Sequence, residues 1–337
     1  MSIPKKIDIV YRWVDGSDKK WQAEKDKWYK KITGKTPIYK GSATAERSRD
    51  NDELKYSLRS VAECAPWINH IYIITGFNQV PKWLNTNHPK ITIVPHEEIM
   101  PADALPTFNS TAIEMCIPNI KNLSEHFIQM GDDMFFNKPV KPSFFYDHLG
   151  RAKVSYNAWL YHAKNIDDWL AQSDGWTKRL ILAEMKIKEL FGKNVFFARP
   201  SHGIDPYLKS AWLEYRNHPK IKHLIDKQLY NKFRSESEFP CWMFCLYAFV
   251  TNRAVLYHSR ARKYGHRKII NFIYNTLHFR RIRRSNVVCE NVIRAKRAIA
   301  TATTFCINDG PNNTPEILQQ NKDFLESRFP NKSPFEK

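Results

Sequence analysis

Residues 7–18 read IDIVYRWVDGSD. The first eight, 7–14, are dense in β-branched and aromatic side chains with no Gly or Pro among them, which predicts a buried strand. Asp15-Gly16-Ser17-Asp18 then ends it as a turn that carries two carboxylates. The next stretch, 19–48, is polar and rich in Lys and Trp and reads as an insertion. After it a helix is expected. Asp50 is its N-cap candidate, with Glu53 three residues on in a capping-box variant. Leu54, Leu58, Val61, Ala62 and Ala65 make the apolar face, and Pro66 ends it. Three more strands are expected at 70–75 (HIYIIT), 91–95 (ITIVP) and 126–130 (HFIQM), with helical segments near 80–86 and 109–120.

Strands alternating with helices predict an α/β fold with a doubly wound, Rossmann-like sheet. The expected division is an α/β part over residues 1–150 and a mainly helical part over 151–337. The latter has helices at 165–172, 177–192, 206–217, 219–233 and 314–327, and an apolar segment at 240–258. In such sheets the ligand sits beyond the carboxyl ends of the strands. Asp15, Asp18, Asp132 and Asp133 all fall just past predicted strand ends.

Composition bounds the function classes. The chain has 337 residues, 42% hydrophobic and 13% aromatic, so it has ample material for a core. Its formal charge of +19 points to an anionic partner without naming one. Six cysteines include no CxxC pair and no zinc spacing, which reads as reduced, structural thiols. The N-terminus shows no signal-peptide core, and the longest apolar run, Cys241 to Val250, is half a membrane span. A cytoplasmic protein is expected. Residues 260–284 hold nine Lys/Arg and no acid, interleaved with Ile, Leu and Phe. They read as a surface for an anionic inner membrane leaflet or a polyanionic polymer, against the alternative of a solvated face.

Four clusters carry candidate chemistry: 8–18, the long block from Arg49-Asp50-Asn51-Asp52 to Asp132-Asp133, ARPSHGIDP (198–206) with Arg234, and FCINDGP (305–311). Each has a plain reading on its own. Asp15 and Asp18 suit a turn, Asp132-Asp133 a solvated loop, His202 a local cap, Arg234 a surface charge and Asn308-Asp309-Gly310 a tight turn.

Together and in this order the clusters resemble the four blocks of the Stealth family of bacterial capsular polysaccharide phosphotransferases. The animal N-acetylglucosamine-1-phosphotransferase is related to these. The most specific segment runs RDNDELKYSLRSVAECAPWINHIYIIT, PKWLN, LPTFNSTAIE and LSEHFIQMGDDMFFNKP. The resemblance implies transfer of sugar-1-phosphate from a UDP-sugar to a sugar hydroxyl, releasing UMP and building a phosphodiester-linked capsular or exopolysaccharide. It also implies a GT-A-like, nucleotide-sugar-binding part over residues 1–150, with Mg2+ or Mn2+ at Asp132, Asp133 and Asp309, and a nucleotide-sugar pocket of Asp15, Arg49, Asp50, Asn51, Asp52, Asn109 and Ser110. His202, Arg234 and Asp133 would carry catalysis. His202 would act as the base or, alternatively, form a covalent phosphohistidine. Arg59 would reach phosphate or else form a structural ion pair. Where animal relatives have Asn before the Asp pair, this chain has Gly131. The expected partners are the growing polysaccharide and, peripherally, the inner membrane or a capsule-assembly complex. A metal-dependent glycosyltransferase releasing UDP and, more remotely, a nucleic-acid-binding protein are the alternatives; no nucleic-acid motif is present.

Overall fold

A computed structural model describes residues 4–35, 50–158, 166–193, 198–235, 237–258, 286–310 and 313–337. Arg49 and the basic stretch 260–284 lie outside the described residues. The strands are β1 (Ile7–Arg12), β2 (Ile71–Thr75), β3 (Ile91–Pro95), β4 (His126–Met130), β5 (Met134–Phe136), β6 (Ala152–Ala158), β7 (Ala198–Pro200), β8 (Asp205–Leu208), β9 (Ala254–His258), β10 (Asn286–Cys289) and β11 (Thr304–Ile307). The helices are α1 (Lys19–Thr33), α2 (Glu53–Cys64), α3 (His96–Ile99), α4 (Ser110–Cys116), α5 (Ile166–Gln172), α6 (Gly175–Phe191), α7 (Lys209–Asn217), α8 (Lys222–Leu229), α9 (Cys241–Val250), α10 (Val292–Ile299) and α11 (Pro315–Arg328).

The central sheet has the order β3-β2-β1-β4-β8. β1 pairs parallel with β2 and with β4, and β2 with β3; β8 closes the edge antiparallel to β4, Phe127 opposite Tyr207. Five of the six residues of β1 are buried, as expected of a parallel strand covered on both faces. Asp8 is among them, and its carboxylate is satisfied by Asn69 Nδ2 and the Ser124 N–H, each at 2.7 Å. The chain winds from β1 outward to β3, then returns to place β4 on β1's other side. The reversal puts a crevice beyond the carboxyl ends of β1 and β4.

Two smaller sheets follow. β10, β11 and β5 form one, with β11 parallel to β10 and antiparallel to β5; β7, β6 and β9 form the other. Residues beyond 150 therefore return strands to sheets begun earlier, β8 onto β4 and β11 onto β5. The largest core cluster runs from Ile7 to Phe335 and includes a packed group of Tyr207, Trp212, Tyr215, Phe244 and Tyr247.

Some sequence expectations are corrected. No helix forms at 80–86; the segment is turns, and Leu84 is buried by bridging to Glu336. The expected helix 206–217 begins as β8, with Pro206 tolerated because that strand is an edge. The polar stretch after residue 18 holds α1, with Asp18 as its N-cap accepting from the Trp21 N–H at 2.9 Å. Asp50 does not cap α2. Asp52 occupies that position in a left-handed conformation (φ 67°), and Glu53 reaches back to the Asn51 N–H at 2.6 Å. Among the described residues no helix is long and apolar enough to cross a membrane.

Candidate active site

The crevice is built first by β1. Its exit loop is braced by Gln79, which accepts from the Asp15 N–H at 3.0 Å and donates to the Asp15 carbonyl at 2.9 Å. Asp15 Oδ1 accepts from the Ser17 amide and hydroxyl at 2.8 and 2.6 Å, which shapes the turn. Tyr11 and Ser57 share a 2.8 Å hydrogen bond, and Ser57 Oγ donates to the Met134 carbonyl at 2.6 Å. One hydroxyl thus ties α2 to β1 and to the strand that leaves the acidic turn.

That turn, Gly131-Asp132-Asp133, joins β4 to β5 and is closed by the Met134 N–H on the Gly131 carbonyl at 3.2 Å. Its glycine has a steric reason. A Cβ at 131 would lie 2.4 Å from Asp133 Oδ1, so the carboxylate occupies the space a side chain would fill. Asp133 Oδ2 accepts from the Cys306 thiol at 3.1 Å. His202, exposed on the loop between β7 and β8, completes a group in which one donor atom each of Asp133, His202 and Cys306 lies within 4.8 Å of the others. Asn286 donates to the His202 carbonyl and is itself held by Thr304 Oγ1 at 2.9 Å.

Among the described residues the charged neighbours that shift Asp132 are all carboxylates. Burial, then the Asp133, Glu53 and Asp50 carboxylates, push its carboxyl well above the usual carboxylate range. Burial and Asp52 and Asp15 raise Asp50, and burial raises Glu53 to about 7. Among the described residues no Lys or Arg forms an ion pair with Asp50, Asp132 or Asp133. Asp52 does have a cation, Lys322 Nζ at 2.8 Å. Asp309 lines a small cleft with Asn51, Glu53 and Lys322 and accepts from Asn313 Nδ2 at 3.0 Å. It stands in that cleft and not in the group of Asp133, His202 and Cys306. Oxygen donors crowded without a counter-charge are what a hard divalent cation requires, so Asp132 and Asp133 fit such an ion.

A second polar cluster heads α4. Arg234 donates to Ser110 Oγ, and Arg12, at the end of β1, donates to the Ser110 carbonyl at 2.9 Å while pairing with Glu114 at 2.8 Å. Asn109 is wholly buried. Its Oδ1 accepts from the Thr111 N–H at 3.0 Å, and its Nδ2 donates to Glu238 at 2.8 Å and to the Asn231 carbonyl at 3.2 Å. Both ends of its amide are therefore engaged in framing the helix start. Arg59 likewise turns inward, forking onto Glu336 at 2.8 and 2.7 Å and onto the Phe329 carbonyl at 2.8 Å. It is the structural ion pair.

Sequence reading missed Glu53, which it took as a capping residue, and Cys306, which it took as packing. The position of Cys306 inside FCINDGP, two residues before Asn308-Asp309, was the available signal.

Comparison with known proteins joins these observations. Models of Stealth conserved regions 1, 2 and 4 match residues 5–31, 47–154 and 292–337. The chain belongs to the Stealth family. The matched regions contain β1, the acidic turn and β11, while His202 and Arg234 lie between the second and third of them. Stealth relatives include a capsular polysaccharide phosphotransferase of Haemophilus influenzae, 36% identical over 71% of this chain and 63% of that protein. An exopolysaccharide phosphotransferase of Streptomyces coelicolor is 33% identical over 98% of this chain and 52% of its own length. A capsular polysaccharide phosphotransferase of Streptococcus pneumoniae is 29% identical over 98% and 99%. The chain thus spans between half and two thirds of the first two relatives' lengths. Among solved structures it is similar to the galactosyltransferase LgtC (10% identity, TM-score 0.45, 97% of this chain and 96% of that one). It is also similar to the bifunctional glycosyltransferase WbbM (10%, TM-score 0.47, 97% and 50%).

Proposed function

We propose that this Stealth protein transfers sugar-1-phosphate from a UDP-sugar to a hydroxyl of a growing capsular or exopolysaccharide and releases UMP. The observation that carries the reading is the meeting of Asp133 and His202 across the carboxyl edge of the sheet, beside Asp132 and Asp50, which form no ion pair among the described residues. The acceptor hydroxyl oxygen bonds to the β-phosphorus of the donor. Its proton passes to the His202 imidazole, acting as the base. The bond from the β-phosphorus to the bridging oxygen breaks, and the electron pair leaves with UMP. The sugar C1–O bond is untouched, so anomeric configuration is retained.

Phosphoryl transfer needs positioning and charge neutralisation more than covalent assistance. Asp132 and Asp133 would hold Mg2+ or Mn2+, which supplies neutralisation of diphosphate charge. Asp15, Asp50, Asn51 and Asp52 border the donor site, Asp309 closes it from the β11 side, and Arg234 with Ser110 meets phosphate oxygens. The test is to incubate purified protein and Mg2+ with a panel of UDP-sugars and acceptor fragments. UMP together with an acceptor heavier by one sugar phosphate supports the reading. UDP and an acceptor heavier by a sugar alone supports the glycosyltransferase alternative.

A further inference from the structure

Cys306 is 0% exposed on β11, and pairing on both sides holds its backbone in place: it is opposite Val288 in β10 and Met134 in β5. The Ile307 N–H donates to the Asp133 carbonyl at 3.0 Å and ties the two segments together at that point. From this anchor the sulfur lies 3.1 Å from Asp133 Oδ2. The other oxygen of the same carboxylate sits where a Cβ on residue 131 would be. We propose that Cys306 is a positioning residue: its S–H donates to Asp133 Oδ2 and, with the bare backbone of Gly131 beneath Oδ1, fixes the direction in which the carboxylate faces His202 and the diphosphate. The inference rests on the reaction proposed above.

The chemistry favours this over simple packing. An ionised carboxylate only accepts, so the hydrogen between the two groups belongs to sulfur. A thiol is a weak donor, and it therefore sets direction while leaving most of the negative charge on the oxygens. Among the described residues Cys306 is the one cysteine whose sulfur is hydrogen-bonded to a carboxylate, with Asn308 Oδ1 farther off at 3.8 Å; those of Cys64 and Cys289 meet main-chain carbonyls and that of Cys241 a tyrosine hydroxyl. A filler role makes the opposite prediction from a donor role, because alanine would then serve at least as well as serine in a buried site.

The experiment compares Cys306→Ser and Cys306→Ala in the full chain with Mg2+, reading kcat, the donor KM and the infrared S–H stretch. Loss of an outer partner of a metal-site ligand costs about 10- to 100-fold. Cys306→Ala is expected to lower kcat by at least about tenfold with little change in KM, and Cys306→Ser to recover most of that loss. The wild-type minus Cys306→Ala spectrum is expected to show a hydrogen-bonded S–H band that moves toward the free-thiol position in Asp133→Asn. Equal kcat in the alanine and serine variants overturns the inference, as does a band indifferent to Asp133→Asn. A thiolate charge-transfer absorption with Co2+ that vanishes in Cys306→Ser also overturns it, because it makes Cys306 a ligand and not a donor. If wild type releases no UMP from any UDP-sugar, the reaction fails on its own, and the S–H band still decides the contact.

Discussion

At the head of α4 opposite charges are paired. Arg12 meets Glu114, Arg179 lies 3.9 Å from the Glu238 carboxylate and donates to its main-chain carbonyl, and Asn109 ties Glu238 to the helix start. At the turn from β4 to β5 the arrangement is reversed: carboxylate faces carboxylate, and burial adds to the repulsion. A paired polar network stabilises a fold without help. A cluster of like charge that is unpaired among the described residues weakens the fold, and the proposed divalent cation would supply the opposite charge. On the proposed reaction, the contrast separates Arg12, Asn109 and Glu238, which shape the crevice, from Asp132 and Asp133, which would act in it.

That contrast can be broken by substitution. Asp133→Asn should have the largest effect, lowering UMP release by at least about a thousandfold, the upper scale for losing one charge-stabilising group. Its melting temperature should hold or rise, because a repulsion is removed. A variant that unfolds would place Asp133 with the structural network instead. Arg234→Ala and His202→Ala should each cost about a hundredfold. A rate near wild type in either would remove that residue from the reaction.

The pH dependence of stability sharpens the comparison. Folded Glu53 keeps its proton to about pH 7, whereas a free glutamate releases it near 4.5. Without divalent cation, the stabilisation is present below pH 4.5 and is lost as pH rises through 7. Glu53→Gln should therefore match wild type near pH 4 in urea unfolding and exceed it near pH 8 by on the order of 2–3 kcal/mol. Equal curves at both pH values would show that Glu53 is not under charge strain. The smallest effect is expected at the paired network: Asn109→Ala should cost about 1–2 kcal/mol of stability, through loss of the helix cap and of a bond to buried Glu238. Its turnover should fall only as far as the α4 start loosens.

The central sheet was legible because β1, β2 and the core of β3 and β4 are short apolar runs whose spacing needs no distant partner to recognise. β8 and β11 are four residues each, too short for a period to show, and they exist because β4 and β5 supply their hydrogen bonds. The segment 80–86 looked helical because Trp83 and Leu84 are apolar, but their burial comes from the chain terminus, with the Lys337 N–H on the Trp83 carbonyl at 2.9 Å. Site legibility divides in the same way. Asp132-Asp133 announce themselves beside a strand end, and His202 beside a glycine. The contact of Cys306 with Asp133 joins residues 173 positions apart, and that of Arg59 with Glu336 joins residues 277 apart. No local pattern encodes either.

If the acidic turn serves cleavage between the two phosphorus atoms of the donor, the oxygen that joins the sugar to the β-phosphorus stays with the sugar. A UDP-sugar carrying oxygen-18 at that position, followed by mass spectrometry of both products, reports where it goes. The account predicts the label in the polymer, bridging sugar and phosphate, with unlabelled UMP released. Label recovered in departing UDP would contradict it.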